Sequence, residues 1–191
     1  MTVFSGQTAL KETHTVAWMA PSNIALVKYW GKSGLQIPAN PSVSMTLKNA
    51  RTETRVSVTP SSRKEIIFKF ENQEKPEFLP KIDAFLDRIS KFCPWVNKAT
   101  FSINSTNTFP HSSGIASSAS SMAALALSVT EIDFSLSGMT DESPEFLNSA
   151  SFLARLGSGS ASRSVYPGYA LWGRHRDIDD SSDEYAIPFQ S

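Results

Sequence analysis

Three separated segments of the sequence carry residue types suited to binding anions. The first, residues 109–121, reads F-P-H-S-S-G-I-A-S-S-A-S-S and contains no Lys, Arg, Asp or Glu. An apolar pattern of helical spacing follows it, and small side chains at a helix start let unpaired backbone N–H groups approach a phosphate closely. It lacks the lysine of a G-x-x-x-x-G-K-[ST] phosphate loop, so the cations must come from elsewhere. The alternative is a Ser/Ala-rich helix packed tightly on a sheet.

The second segment, residues 23–32, reads N-I-A-L-V-K-Y-W-G-K and holds two lysines. Lys28 and Lys32 are four residues apart, so either a strand or a helical turn puts both on one face. Two ammonium groups there could converge on one highly charged anion, and Tyr29 between them offers a hydroxyl. The alternative is a surface pair of lysines beside a packed tryptophan.

The third segment, residues 157–164, reads G-S-G-S-A-S-R-S. Its two glycines permit a tight turn with close backbone approach, and the planar fork of Arg163 suits a carboxylate or a phosphate. Ser162 stands where the dinucleotide-binding fingerprint needs its third glycine, so that motif is excluded. A flexible turn with a solvated arginine is the alternative. Taken together, the three segments predict a single cavity that binds phosphorylated ligands.

Bulk composition narrows the classes of function. The chain has 191 residues, with 18 Lys+Arg against 18 Asp+Glu, and this balance argues against non-specific nucleic-acid binding. Its three histidines have neither the spacing of a zinc site nor an obvious nucleophile beside them. The single cysteine and the lack of an apolar run of membrane-spanning length predict a cytoplasmic protein of one domain with no membrane partner.

Hydrophobic periodicity predicts a mixture of strands and helices. Alternating patterns indicate strands over 42–48, 52–58 and 65–71, which we expect to form an antiparallel meander. Further strands are expected at 15–19, before Pro21, and at 23–32, 99–103, 165–172 and 185–189. Helical spacing indicates helices over 78–92, over the apolar pattern of Met122 to Val129 into which the 109–121 loop runs, and from Ser143-Pro144 to Gly157.

In this order, N-I-A-L-V-K-Y-W-G-K, N-T-F-P-H-S-S-G-I-A-S-S-A-S and G-S-G-S-A-S-R-S resemble the signature segments of the mevalonate diphosphate decarboxylase family. That family belongs to the superfamily of galactokinase, homoserine kinase, mevalonate kinase and phosphomevalonate kinase (GHMP). The resemblance implies the superfamily's α+β N-terminal domain over residues 1–191, similar to the second domain of ribosomal protein S5. It would be a mostly antiparallel sheet with helices on one face, and the family's C-terminal domain would lie beyond these residues.

The resemblance also implies a reaction in isoprenoid biosynthesis by the mevalonate pathway. ATP would phosphorylate the tertiary 3-hydroxyl of mevalonate 5-diphosphate, and phosphate would then leave as the carboxylate is lost. The products would be isopentenyl diphosphate, ADP, phosphate and carbon dioxide. ATP and Mg²⁺ would be the cofactors, with the metal carried by the nucleotide and Ser118 the one protein group expected to reach it.

Roles for individual residues follow from the same resemblance. Catalytic roles are implied for Lys28, near the 3-hydroxyl and the transferring phosphoryl group, for Ser118 at the γ-phosphate, and for Arg163 at the carboxylate. Substrate binding is implied for Tyr29, Trp30, Gly31, Lys32, Ser158, Gly159, Ser160, Ala161, Ser162 and Arg163. ATP binding is implied for Asn23, Pro110, Ser112, Ser113, Gly114, Ala116, Ser117, Ser118 and Ser121.

Two departures from the family pattern bear on these roles. His111-Ser112-Ser113 follows Phe109-Pro110 where the family usually has Thr-Ala-Ala or similar. The family's catalytic aspartate lies in the C-terminal part, and no aspartate between 177 and 183 is assigned its role. We therefore expect these residues to be an N-terminal portion. A related small-molecule kinase, a monophosphate decarboxylase and an inactive nucleotide-binding unit stay open as alternatives, as does pairing into a homodimer.

Overall fold

The computed structural model describes residues 1–110 and 117–189. Its strands are β1 His14–Val27, β2 Lys32–Ser33, β3 Ile37–Pro38, β4 Ser42–Pro60, β5 Glu65–Phe70, β6 Gln73–Glu74, β7 Ala99–Asn107, β8 Tyr169–Trp172 and β9 Ala186–Pro188. The α-helices are α1 Leu79–Ile89, α2 Ser117–Ser135 and α3 Phe146–Gly157. Short 3-10 helices cover Pro76–Phe78, Pro94–Lys98 and Gly159–Val165.

The sheet is built around β4. This strand pairs antiparallel with β1 on one side; on the other, its second half pairs with β7 and its first half with β8. The order across the sheet is β6-β5-β7-β4-β8-β9, with β1 off this path, and only the β5–β7 pair is parallel. The α+β fold class with a mostly antiparallel sheet is confirmed. Buried and exposed residues alternate along β4 and β7, because the helices cover one face.

The predicted meander is wrong. Strand β5 does not lie beside β4, because β7 stands between them and runs parallel to β5. A parallel neighbour requires a crossover, and α1 supplies it between β5 and β7. Alternation along each strand gave no information on this pairing order, because it reports which face is buried and not which strand is adjacent.

Two predicted breaks are also absent. The patterns at 42–48 and 52–58 belong to the single strand β4, and β1 continues through Pro21 with a register shift between Pro21 and Ser22. Proline is tolerated there because β1 pairs only with β4 among the described strands, so the missing N–H faces an open edge. The shift in the pairing of β1 with β4 at Pro21 therefore lets β1 continue as one long strand past the proline.

Helix α2 lies at the centre of the core. The predicted apolar face, formed by Met122, Leu125, Ala126 and Val129, is buried, but so are most of the other residues of this helix. The Oγ of Ser128 donates to Ala124 O at 2.9 Å, which satisfies a polar side chain inside the core. None of the described helices is both long and apolar enough to cross a membrane.

Helix α3 begins later than Ser143-Pro144 predicts. It starts at Phe146, and Ser143 belongs to the preceding turn, where its Oγ accepts a hydrogen bond from Thr140 N at 3.2 Å. The serine therefore caps a turn rather than the helix. The predicted end at Gly157 is confirmed, and the site described below starts there.

Candidate functional site

Arg163 is a buried guanidinium held over two aromatic rings. It lies in the 3-10 helix Gly159–Val165, with 1% of its surface exposed. Its Cζ is 5.7 Å from the ring centre of Tyr29 and 5.8 Å from that of Trp172, within cation–π range. Its Nη1 donates to Ser42 Oγ, which itself donates to Val27 O at 2.6 Å. Strands β1, β4 and β8 thus hold this arginine in one orientation.

No carboxylate compensates this buried cation within the part of the chain that the structure describes. Arg163 forms no ion pair there, and its Nε is buried without a hydrogen-bond partner. Burial lowers the pKa of Arg163 to about 10, against a smaller opposing effect of Tyr29. A buried charge is unfavourable unless it is paired, so the site is electrostatically prepared for an anion.

Lys32 is the second cation beside Tyr29. Its Nζ lies 5.7 Å from the Tyr29 ring centre, and burial lowers the pKa of Lys32, as does the nearby charge of Arg88. Gly159 brings the two segments together: a Cβ there would lie 2.7 Å from Trp172 Cη2 and 3.1 Å from Lys32 Cδ. The close approach predicted for this glycine serves side chains of the protein itself, which thereby surround the anion site.

The serine-rich turn is fixed from below by Asn23. Its Nδ2 donates to Ser160 O at 3.0 Å and to Ser164 Oγ at 2.7 Å, so Asn23 supports the 3-10 helix. Ser162 is fully buried and donates to Gly159 O at 2.8 Å, and Ala161 is equally buried. The hydroxyls of Ser158 and Ser160, 3.3 Å apart and half-buried, are therefore the ones that can meet a ligand.

Lys28 and Trp30 do not join Arg163. Both are exposed, Trp30 to 91%, and of the predicted lysine pair only Lys32 has its ammonium over the Tyr29 ring. Asn40, which sequence reasoning missed, fixes this stretch: it accepts from Trp30 N at 2.7 Å and donates to Lys28 O at 3.1 Å. An asparagine in a turn segment commonly forms hydrogen bonds with nearby backbone groups, and this tendency is the sequence signal that could have identified Asn40.

A separate cavity opens at the first turn of α2. Its volume is about 120 Å³, and Ser117, Ser118 and Ser121 of α2 line it. Most of the other lining residues are apolar or aromatic, among them Phe68, Phe70, Phe78, Ile82, Ile103, Met122 and Leu125. A mostly apolar cavity with a few polar groups is typical of a small-molecule site.

Two polar groups of this cavity were not predicted. Asn107 has a buried Nδ2 without a partner in the described residues, while its Oδ1 accepts from Thr52 at 2.8 Å. Lys81 of α1 also lines the cavity, and burial lowers its pKa. Lys81 lies far in sequence from the serine segment, so no local spacing could have revealed it, whereas Asn107 opens the quoted segment N-T-F-P-H-S-S-G-I-A-S-S-A-S and was given no role there.

The two regions adjoin through Gly157. Met122 lines the cavity, and its Sδ would lie 2.8 Å from a Cβ at Gly157, two residues before the glycine that contacts Lys32. The structure thus places Ser118 in one region and Lys32 with Arg163 in the next, rather than in the single cavity we predicted. Pro110 is exposed, and the predicted ATP-binding residues Ser112, Ser113, Gly114 and Ala116 lie outside the described residues.

Comparison with known proteins bears on what this site belongs to. The family model "Diphosphomevalonate decarboxylase-like N-terminal domain" matches residues 20–185, which include every site residue described above. The chain belongs to the diphosphomevalonate decarboxylase family. The resemblance inferred from the three signature segments is therefore confirmed, and so is the GHMP-kinase-type fold.

Relatives of this family place the chain within a longer protein architecture. It is 34% identical over 181 residues to diphosphomevalonate decarboxylase of Candida albicans, covering 88% of this chain and 47% of the relative. A structure on the ATP-binding mechanism of the Enterococcus faecalis enzyme matches with a TM-score of 0.72 and 33% identity, covering 94% and 52% of the two chains. The structure "MDDEF in complex with MVAPP, AMPPCP and Magnesium" gives 0.68 and 34%, covering 93% and 51%. The chain spans about half the length of these proteins.

Proposed function

We propose that this chain forms the ATP- and substrate-binding part of a diphosphomevalonate decarboxylase. The reaction is ATP-dependent decarboxylation of mevalonate 5-diphosphate to isopentenyl diphosphate, with release of ADP, phosphate and carbon dioxide. The observation that carries the proposal is the buried, unpaired guanidinium of Arg163 beside Lys32, next to a cavity at the start of α2. Such a pair of sites suits two phosphorylated ligands held side by side.

The substrate belongs on the Arg163 side. Arg163 offers a fork for the carboxylate, while Lys32 and the hydroxyls of Ser158 and Ser160 face the diphosphate. Loss of carbon dioxide needs the carboxylate to be held in a water-poor environment, which the rings of Tyr29 and Trp172 provide. Gly31 and Gly159 keep their predicted place among the substrate-binding residues, and Gly159 contributes by letting Trp172 and Lys32 pack closely against it. Lys28 keeps its proposed position near the 3-hydroxyl.

The nucleotide belongs on the α2 side. The aromatic lining of the cavity suits the base, and Asn107, which also lines the cavity, offers an Nδ2 donor without a partner among the described residues. The first turn of α2, with Ser117, Ser118 and Ser121, then receives the phosphates at the positive end of the helix dipole. Phosphoryl transfer requires charge neutralisation, which Mg²⁺ supplies when bound with the nucleotide. Ser118 is the residue we assign to the γ-phosphate and the metal.

Calorimetric titration tests the proposal directly. We expect the chain to bind mevalonate 5-diphosphate and ATP–Mg²⁺ separately, and each ligand in the presence of the other. Release of carbon dioxide and of ADP is measured in the same samples. Stable transfer of phosphate without carbon dioxide would indicate a kinase of the same superfamily, and binding of neither ligand would contradict the proposal.

We also assign the protein to the cytoplasm, which the buried thiol of Cys93 supports.

Substitution of Asn107 tests the base subsite. Asn107→Leu removes the free Nδ2 donor and leaves Thr52 bonded to Ser120 Oγ at 2.6 Å. We expect ATP to bind about tenfold more weakly, the effect of about 1.4 kcal/mol, with mevalonate 5-diphosphate affinity unchanged. Asn104→Leu on the same strand is the matched control, since Asn104 bonds Asn72 outside the cavity. Equal loss in both variants would remove Asn107 from the site.

The affinity for mevalonate 5-diphosphate should also fall at high pH. Burial lowers the pKa of Arg163 to about 10 and lowers that of Lys32. Both cations therefore lose their protons at a lower pH than in the unfolded chain, and anion binding weakens as pH rises through about 10. Between that value and the usual pKa of arginine the unfolded chain holds the extra proton, so this group's contribution to stability rises with pH. If the affinity for mevalonate 5-diphosphate does not change across this pH range, the assignment is contradicted.

A further inference from the structure

A second buried arginine, Arg155, lies behind the anion site. It belongs to α3 and has 2% of its surface exposed. Its Nε donates to Glu184 O at 2.6 Å, and its Nη1 donates to Leu35 O. The guanidinium lies over Phe152, with Cζ 5.1 Å from the ring centre. One side chain thus joins three separate parts of the chain.

These contacts are backbone contacts and not ion pairs. Among the described residues Arg155 has no salt bridge; burial lowers its pKa, and the charges of Glu184 and Asp183 partly oppose this. Burying a cation is unfavourable, so an arginine used only to fill space would be a poor choice compared with an apolar residue. What arginine alone offers is a rigid fork that can bond two carbonyl groups at once.

One of the two carbonyls belongs to the segment that carries Lys32. Strands β2 and β3 form a hairpin with only two residue pairs, Lys32 with Pro38 and Ser33 with Ile37. A two-stranded hairpin is marginally stable in water, and this one is far shorter than average. It therefore needs support from outside, and the bond from Arg155 to Leu35 O reaches its turn.

We propose that Arg155 is a positioning residue of the anion site, which holds the β2–β3 hairpin so that the Lys32 ammonium faces the diphosphate of the substrate. The inference rests on the proposed function of this site. It gives Arg155 no contact with substrate. Its second bond, to Glu184 O, anchors the guanidinium to the segment before β9, so that the hairpin is held against the body of the domain and not only against α3.

Three variants of the 191-residue chain test this role. Arg155→Met removes the fork and the charge, and Arg155→Lys keeps the charge but cannot bond both carbonyls. Ser149→Ala is the matched control, because Ser149 is buried on the same helix and its Oγ bonds Val3, away from the hairpin. Two readouts are taken: amide hydrogen exchange of residues 31–39, and titration with mevalonate 5-diphosphate and with ATP–Mg²⁺.

We expect exchange of the hairpin amides to be at least about tenfold faster in Arg155→Met, with an intermediate effect in Arg155→Lys. Mevalonate 5-diphosphate should bind about tenfold more weakly and ATP within about twofold of the parent. Ser149→Ala should change neither readout. Unchanged hairpin exchange, or equal weakening of both ligands, would overturn the proposal, since a purely structural role predicts the latter.

The two proposals fail separately. If the parent chain does not bind mevalonate 5-diphosphate, the assigned substrate is wrong, while hairpin exchange still decides whether Arg155 holds the Lys32 segment. If the parent binds it and exchange does not respond to Arg155, the site assignment stands and the positioning role falls. Should Arg155→Met not fold, Arg155→Lys provides both readouts, because it keeps the cation and the aliphatic contacts with Phe152.

Discussion

Arg163→Met should make the chain more stable while abolishing its substrate site. The pKa of about 10 corresponds to about 3 kcal/mol of unfavourable burial of the charge. Methionine removes this cost and loses the contacts with the Tyr29 and Trp172 rings, so we expect a net gain of about 1–2 kcal/mol in the free energy of unfolding. Ser42 keeps its bond to Val27 O. Affinity for mevalonate 5-diphosphate should fall by about 100-fold or more, because a charge-assisted bond is lost.

Urea unfolding and calorimetry measure the two effects on the same samples. Arg176→Met is the control, since Arg176 is 91% exposed and pairs only with Asp177 in the solvent. It should change unfolding by less than about 0.5 kcal/mol and leave binding intact. A destabilised Arg163→Met variant that still binds the substrate would show that Arg163 is a structural residue. A gain in stability with loss of binding is the signature of a charge kept for function.

Gly159→Ala should damage both the turn and the substrate site. The new methyl carbon would lie 2.7 Å from Trp172 Cη2 and 3.1 Å from Lys32 Cδ, so at least one of these groups must move. Because Trp172 also packs edge-on against Tyr29 at 5.1 Å, the displacement reaches both rings under Arg163. We expect a loss of about 1–3 kcal/mol in unfolding free energy and at least tenfold weaker binding of mevalonate 5-diphosphate.

Gly138→Ala separates these two consequences. Gly138 has φ +72° and nothing within 4 Å of a Cβ, so alanine there causes backbone strain without a steric clash. It should cost about 1 kcal/mol of stability and leave ligand affinity unchanged. If Gly159→Ala reduces affinity no more than Gly138→Ala does, the contact of Gly159 with Trp172 and Lys32 does not shape the site.

Local chemistry made the three segments and the family recognisable. Close backbone approach needs small side chains in any fold, so it can be predicted from the sequence. This signal is present in the glycines and hydroxyls of 157–164 and in the small residues from 117 onward. Helical periodicity likewise located α1, and Gly157 marked the end of α3. These features depend on neighbours along the chain, and such neighbours are visible in the sequence.

Tertiary structure decided which of these residues act together. Lys28 and Lys32 both follow β1, which ends at Val27, and of the two only Lys32 lies over the Tyr29 ring, because it begins the β2–β3 hairpin. The predicted meander was wrong because the alternation of buried and exposed residues shows which face of a strand is buried, and does not show which strand lies beside it.

The residues that sequence reasoning missed share one property. Asn40, Asn107 and Arg155 bond to partners 10, 55 and 120 positions away, and nothing in the sequence links them to those partners, although Asn107 itself stands at the start of a quoted segment. The sequence by itself determined which groups this protein can offer to an anion and which family it belongs to. Only the folded sheet decided that Arg163 is buried with no counter-charge among residues 1–110 and 117–189, because burial and neighbouring charges are properties of the surroundings that distant segments create.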